Sequence, residues 1–180
     1  MSASAFDAEF RAAFDSRYEE LFRWLDRYCG DPSLAADVAQ ETFVRLHARG
    51  EMPEDVRAWV ASVALNLVRD EQRRTTRRRL LLLRRPAGTT MADPEPSPEE
   101  DVLSAERRAL VRRVLDVMSE RERALLLLRE EGYSYRELSV ALGLNESSVG
   151  TLLMRAKSAF RDAFLSLENA ATTRRTDARF

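Results

Sequence analysis

Three sets of polar side chains in this chain have the types and spacing for binding chemistry. Near the C-terminal end, Glu146, Ser147, Ser148, Thr151, Arg155 and Lys157 follow one another at the start of a helical stretch. Hydroxyls there can donate to phosphate oxygens, where unpaired helix N–H groups already attract anions, and the two cations reach further along. Asn66, Arg69, Asp70, Arg73 and Arg74 form a second set on one side of a long helix. Arginine suits phosphate and asparagine suits a base edge, though an arginine-rich helix end is also simply solvated or favoured by the C-terminal dipole. The third set, Asp37, Gln40 and Glu41, stands at i, i+3 and i+4, so the three share a helix face. Acids on such a face suit a basic partner through charge-assisted hydrogen bonds, while spacing alone favours a plain solvated face.

Catalytic chemistry is not expected. His47 is the single histidine and Cys29 the single cysteine, which leaves no histidine-pair metal site, no hydrolytic triad and no internal disulfide. No metal, cofactor or small-molecule substrate is expected. Cys29 reads as a small buried side chain in a reducing, cytoplasmic setting, and His47 as an ordinary residue near a helix end.

The elements that must position these residues are helices. Ser134–Leu153 fits a helix-turn-helix: counting Tyr135 as the first position, small Ser139 is fifth, Gly143 ninth and Val149 fifteenth. Leu138, Leu142, Leu144 and Leu152 fill the apolar slots. Two helices crossing steeply need a small residue at closest approach and a glycine for the turn, and the second helix can then enter a major groove. Ser119–Glu122 and Ser134–Glu137 are capping-box sequences, and Asn145 is an N-cap for a helix from Glu146 to about Leu167.

Upstream, Phe6, Phe10, Phe14, Leu21, Phe22 and Leu25 recur at helical spacing. Gly30–Ser33 breaks that pattern, and Asp31 or Ser33 can cap the next helix. Val38, Thr42, Phe43 and Leu46 form the apolar stripe of that helix, and Gly50–Pro53 ends it. A long helix is then expected from about Glu54 towards Arg79, with Val56, Trp59, Val60, Val63 and Leu67 facing inward. Residues 86–101, with Pro86, Pro94, Pro96 and Pro98 among acids, cannot bury enough apolar surface to offset ordering entropy. Such a flexible linker can reach roughly 50 Å when extended, enough to let two domains sit at separate sites. The expected architecture is all-α: a helical domain over 1–85, the linker over 86–101, a second domain over 102–168 and a disordered tail over 169–180.

At 180 residues with 44% hydrophobic and 33% charged residues, the composition is that of an ordered helical protein. No apolar run is long enough to span a bilayer, and the N-terminus carries no signal-peptide pattern. The net charge of −1 is unusual for a protein that binds DNA alone. Basic Arg69–Arg85 and acidic Asp93–Asp101 are segregated, so weak intrinsic DNA binding, strengthened by a partner, is expected.

With both halves in view, the chain resembles a bacterial RNA polymerase sigma factor of the extracytoplasmic-function (ECF) group of the sigma-70 superfamily. Asp31–His47, DPSLAADVAQETFVRLH, and Val56–Arg74, VRAWVASVALNLVRDEQRR, resemble the family's region two. Leu115–Phe160 resembles region four, with its G-x-S-Y-x-E pattern and the helix after it. Gly150, Thr151 and Leu152 depart from the Lys-Ser-Arg often found there, Met118 replaces a proline, and Gly150 inside a helix costs about 1 kcal/mol relative to alanine.

The resemblance implies that Asp37, Gln40 and Glu41 grip a coiled-coil clamp on core RNA polymerase. It implies that Asn66, Arg69, Asp70, Arg73 and Arg74 meet the start-proximal promoter element and stabilise the separated strand. Trp59 falls in an apolar stripe and reads as core; the resemblance also allows it as a wedge at the DNA fork. Loop Arg49–Asp55 sits where relatives capture an extruded base. Glu146, Ser147, Ser148, Thr151, Arg155 and Lys157 would read the upstream element in duplex form. The acidic linker would lie along the polymerase's RNA channel. Partners implied are core RNA polymerase, promoter DNA and, as in many relatives, an anti-sigma protein. Two other readings share the helix-turn-helix: a regulator that binds duplex DNA without recruiting polymerase, and a helical interaction adaptor.

Overall fold

The computed structural model describes residues 3–82 and 102–177. The expected linker at 86–101 lies outside the described residues. Among those residues there are seven helices and no strand. The first three, α1 (Ala3–Cys29), α2 (Pro32–Arg49) and α3 (Val56–Leu82), form an N-terminal group. The second group is α4 (Val102–Val117), α5 (Glu120–Glu130), α6 (Tyr135–Leu142) and α7 (Glu146–Asp177).

Local chemistry sets the boundaries. The Asp31 carboxylate accepts from the N–H groups of Ser33 and Leu34 at 3.0 and 3.1 Å, with Pro32 opening α2. This is the pairing an N-cap makes with a proline that has no N–H to lose. Gly50 closes α2 at φ +73, a conformation costly for any residue with a Cβ. Asp55 caps α3 by accepting from the Ala58 N–H at 2.9 Å. Both capping boxes form, Ser119 with Glu122 and Ser134 with Glu137.

α1 and α2 are zipped by aromatic rings placed every fourth residue. Phe10 and Phe14 meet the Phe43 ring edge-on at 6.5 and 5.1 Å, and Phe10 meets His47 at 5.0 Å. Below them Leu21, Trp24, Leu25 and Tyr28 are fully buried, together with Val60, Leu65 and Val68 of α3. Full burial of one such side chain contributes about 1.5–3 kcal/mol relative to exposure.

One expectation needs correction. α7 continues to Asp177, past Glu168, where a disordered tail was expected to begin. Its sequence there, ENAATTRRTD, holds no glycine or proline to stop a helix already propagating. The last residues, 178–180, lie outside the described part.

The two helical groups are docked on one another. α6 lies along α3 and α5 against α1. A single buried cluster runs from Leu21 and Trp24 through Val60 and Leu65 to Val114, Leu128 and Leu153. Sequence patterning shows that each helix has an apolar face, but not which helix from the other half covers it.

Candidate nucleic-acid and partner interfaces

The helix-turn-helix is built from its caps outward. Gly143 ends α6 at φ +61, and the Leu144 N–H donates back to the Ser139 carbonyl at 2.8 Å. These bonds satisfy orphan carbonyls and aim the chain at Asn145. The Asn145 side chain then accepts from the Ser147 N–H at 3.1 Å and from the Ser147 hydroxyl at 2.8 Å. Leu138 and Val149 are fully buried, Leu153 and Ser139 nearly so, which fixes the crossing of α6 and α7.

Glu146, Ser147, Ser148, Thr151, Arg155 and Lys157 are all exposed on the outer side of α7. The residues that depart from the family pattern turn out differently. Leu152 is half-buried against the core, and Gly150 faces the Tyr135 ring on α6. Of the departing triplet, only Thr151 is exposed.

On α3, Asn66, Asp70, Arg73 and Arg74 are exposed, as a helix-long polar stripe requires. Arg73 lies 3.7 Å from Asp70 and Arg74 3.8 Å from Glu71, with the two arginine side chains 71% and 73% exposed. Such solvated pairs hold their arginines weakly, so both cations can be recruited by a phosphate. Arg69 differs: its Nε lies 3.6 Å from Glu120 on α5, so the second group already engages it. Trp59 is half-buried and packed against the core.

The α2 face is divided by its surroundings. Asp37 and Glu41 line a groove between α2 and α3 with Asp70, Glu71, Arg45 and Arg74. Glu41 accepts from Arg45 Nε at 2.9 Å, an exposed pair. Gln40 instead edges a neighbouring groove lined by Phe10, Phe14, Phe43, Val44 and His47. The structure therefore joins the two acids to the α3 surface and sets Gln40 beside an aromatic one. Phe14, one of the apolar residues at helical spacing, is 37% exposed there and Val44 54%, so the groove presents accessible apolar surface.

Sequence reasoning missed Arg57 and its neighbours. The Arg57 Nε donates to Glu20 on α1 at 2.7 Å, its Nη2 to the Glu131 carbonyl at 2.5 Å and its Nη1 to the Gly132 carbonyl at 3.3 Å. Its guanidinium lies 4.0 Å over the buried Tyr133 ring and 3.4 Å from Glu137. Burial disfavours charge on Arg57, but Glu20 outweighs it and holds the guanidinium above its ordinary pKa. Burial also pushes the Tyr133 phenol up. Nothing in the flanking Val56 and Ala58 signals a polar hub, because its partners come from three other parts of the chain.

Cys29 is half-buried, and burial pushes its thiol up to about 12, the environment of an inert cysteine. Among the described residues no group of His, Cys, Asp or Glu could hold a metal ion. Among them too, no helix is long and apolar enough to cross a membrane.

Comparison with known proteins agrees with this anatomy. Residues 13–78 match the model of Sigma-70 region 2, and residues 108–160 that of Sigma-70, region 4. The ECF RNA polymerase sigma factor SigL of Mycobacterium tuberculosis is 32% identical over 178 residues, covering 96% of this chain and 97% of SigL. The RNA polymerase sigma-E factor of Streptomyces coelicolor is 30% identical over 163 residues, covering 88% of this chain and 87% of its own. Among solved structures, the sigma factor RpoE of Bartonella quintana, crystallised with the anti-sigma factor NepR, shares the fold with a TM-score of 0.66. That likeness is at 16% identity and covers 86% of this chain and 96% of RpoE. With both regions matched in order, and with full-length kinship to SigL, the chain belongs to the sigma-70 family as an RNA polymerase sigma factor of the ECF group.

Proposed function

We propose that this sigma factor divides promoter-specific initiation between two surfaces, with the work assigned to named residues. The α2 face docks on core RNA polymerase, Asp37 and Glu41 supplying carboxylates for a basic partner and Gln40 a hydrogen bond beside aromatic surface. On α3, Asn66, Asp70, Arg73 and Arg74 face the start-proximal element, with Arg69 joining once Glu120 releases it. Outward-facing Ser147, Ser148, Thr151, Arg155 and Lys157 of α7, with Glu146, meet the upstream duplex. Trp59, half-buried, supports α3 from within. The chain contributes no catalytic group of its own and acts in the cytoplasm with the polymerase. The same reading admits a restraining anti-sigma partner, the class of protein bound to RpoE.

The observation that carries this assignment is the exposure of both polar faces, on α3 and on α7, in a chain matched to both sigma regions. Asp37→Lys combined with Glu41→Lys tests the docking face. Core-polymerase binding should fall at least about tenfold while the far-ultraviolet circular dichroism stays helical. Undiminished binding would remove α2 from the polymerase interface.

A further inference from the structure

The outer face of α7 is polar except at one place. Ser147, Ser148, Thr151, Arg155 and Lys157 are exposed there, and among them stands Met154. At 75% exposure it is the most exposed large apolar side chain among the described residues. At 3.6 residues per turn Met154 points about 200° away from buried Ala156. It shares its strip with Ser147, Thr151 and Ser158, which stand three or four residues apart along the helix. Met154 therefore occupies the middle of the outer face and not its edge.

Its surroundings leave it bare. A helical side chain leans over the turn before it, and for Met154 that turn holds Gly150, which has no side chain to cover it. The Tyr135 ring of α6 flanks Gly150, 3.5 Å from where a Cβ would stand, and is itself 45% exposed. A face otherwise suited to phosphate thus carries an apolar centre that gains nothing from folding, because it stays in water.

The chemistry of that centre narrows what it can meet. A thioether has no N–H or O–H to donate, so it adds nothing to a phosphate contact. Base edges in the major groove present donors and acceptors, and the one apolar group among them is the C5-methyl of thymine. An unbranched, polarisable side chain adapts readily to such a group.

We propose that Met154 packs on the C5-methyl of a thymine in the upstream promoter element, a base-reading contact set among phosphate contacts. The proposal rests on the assignment of α7 to the upstream duplex, and adds the kind of base that the helix selects there.

Replacing thymine by uracil, which removes only the methyl, tests the contact. Holoenzyme made from the full chain and core polymerase first selects duplexes from a pool with a randomised upstream element. Each thymine of the selected element, on either strand, is then replaced in turn by uracil. One such replacement should weaken holoenzyme binding by about threefold. Met154→Ala, a change to a strong helix former at an exposed site, should lose about as much on the unmodified duplex and nothing further with uracil. Met154→Leu, which keeps an apolar side chain, should retain the uracil penalty.

A selected element without thymine, tolerance of uracil at every position, or an equal uracil penalty in the parent and Met154→Ala would overturn the methyl contact and leave α7 on DNA. Enrichment of no upstream sequence beyond what core polymerase alone gives would strike the assignment of α7 itself, and the contact with it.

Discussion

Single residues here carry more than one duty, and their surroundings decide which dominates. Gly150 departs from the family pattern and sits inside α7, yet a Cβ added there would meet the Tyr135 ring at 3.5 Å, an ordinary contact. Gly150→Ala should therefore stabilise the protein by up to about 1 kcal/mol in denaturant unfolding, through helix propensity and a restricted unfolded chain. Destabilisation would mean that the glycine serves a close approach absent from this conformation. Glu137 is shared between the α6 cap and Arg57. Partial burial works against its charge, but hydrogen bonds from Ser134 and the nearby Arg57 prevail and hold its carboxyl below the ordinary value. A lowered folded pKa means stability that is present above the unfolded pKa and is lost as pH falls through the folded one. The stability gap between the parent and Glu137→Gln should therefore be largest near neutrality and close on acidification below the usual carboxylate range. A gap independent of pH would exclude this linkage.

Individual helices were largely legible in the sequence because their signals are local. Asp31 before Pro32, the two Ser-x-x-Glu boxes, Gly143 and Asn145 each act within a few residues, and each cap forms as the pattern indicates. The end of α7 was less legible: polarity suggested a tail, but without a breaker a long helix simply continues. Nor did spacing reveal that Gln40 and the Asp37–Glu41 pair open onto different grooves, since that depends on the neighbouring helices. The polar stripe of α3 makes the strongest element-level prediction. Arg73→Ala with Arg74→Ala, which removes two weakly paired cations, should lower open-complex formation. It should also reduce the slope of log affinity against log salt by roughly 1–2 for promoter DNA in the presence of core polymerase. An unchanged slope would take this end of α3 off the phosphate backbone.

At the scale of the whole molecule, order along the chain and arrangement in space are separate matters. The order of two matched regions identifies the family, and the near-neutral composition is the ground for expecting weak DNA binding by the chain alone. The docking of α6 on α3 was not legible, because the seam depends on Arg57, Tyr133 and Glu131, distant in sequence and individually ordinary. The docked arrangement leaves the outer face of α7 exposed while Glu120 engages Arg69 on α3, and the proposed division of labour assigns both faces to promoter DNA. In vitro transcription with purified core polymerase and a pool of genomic promoter fragments tests this most directly. Start sites that appear only when the chain is added, and share an upstream and a start-proximal element, are the predicted result. Transcripts no different from core polymerase alone, from a chain that is folded and active in no other reconstitution, would contradict it.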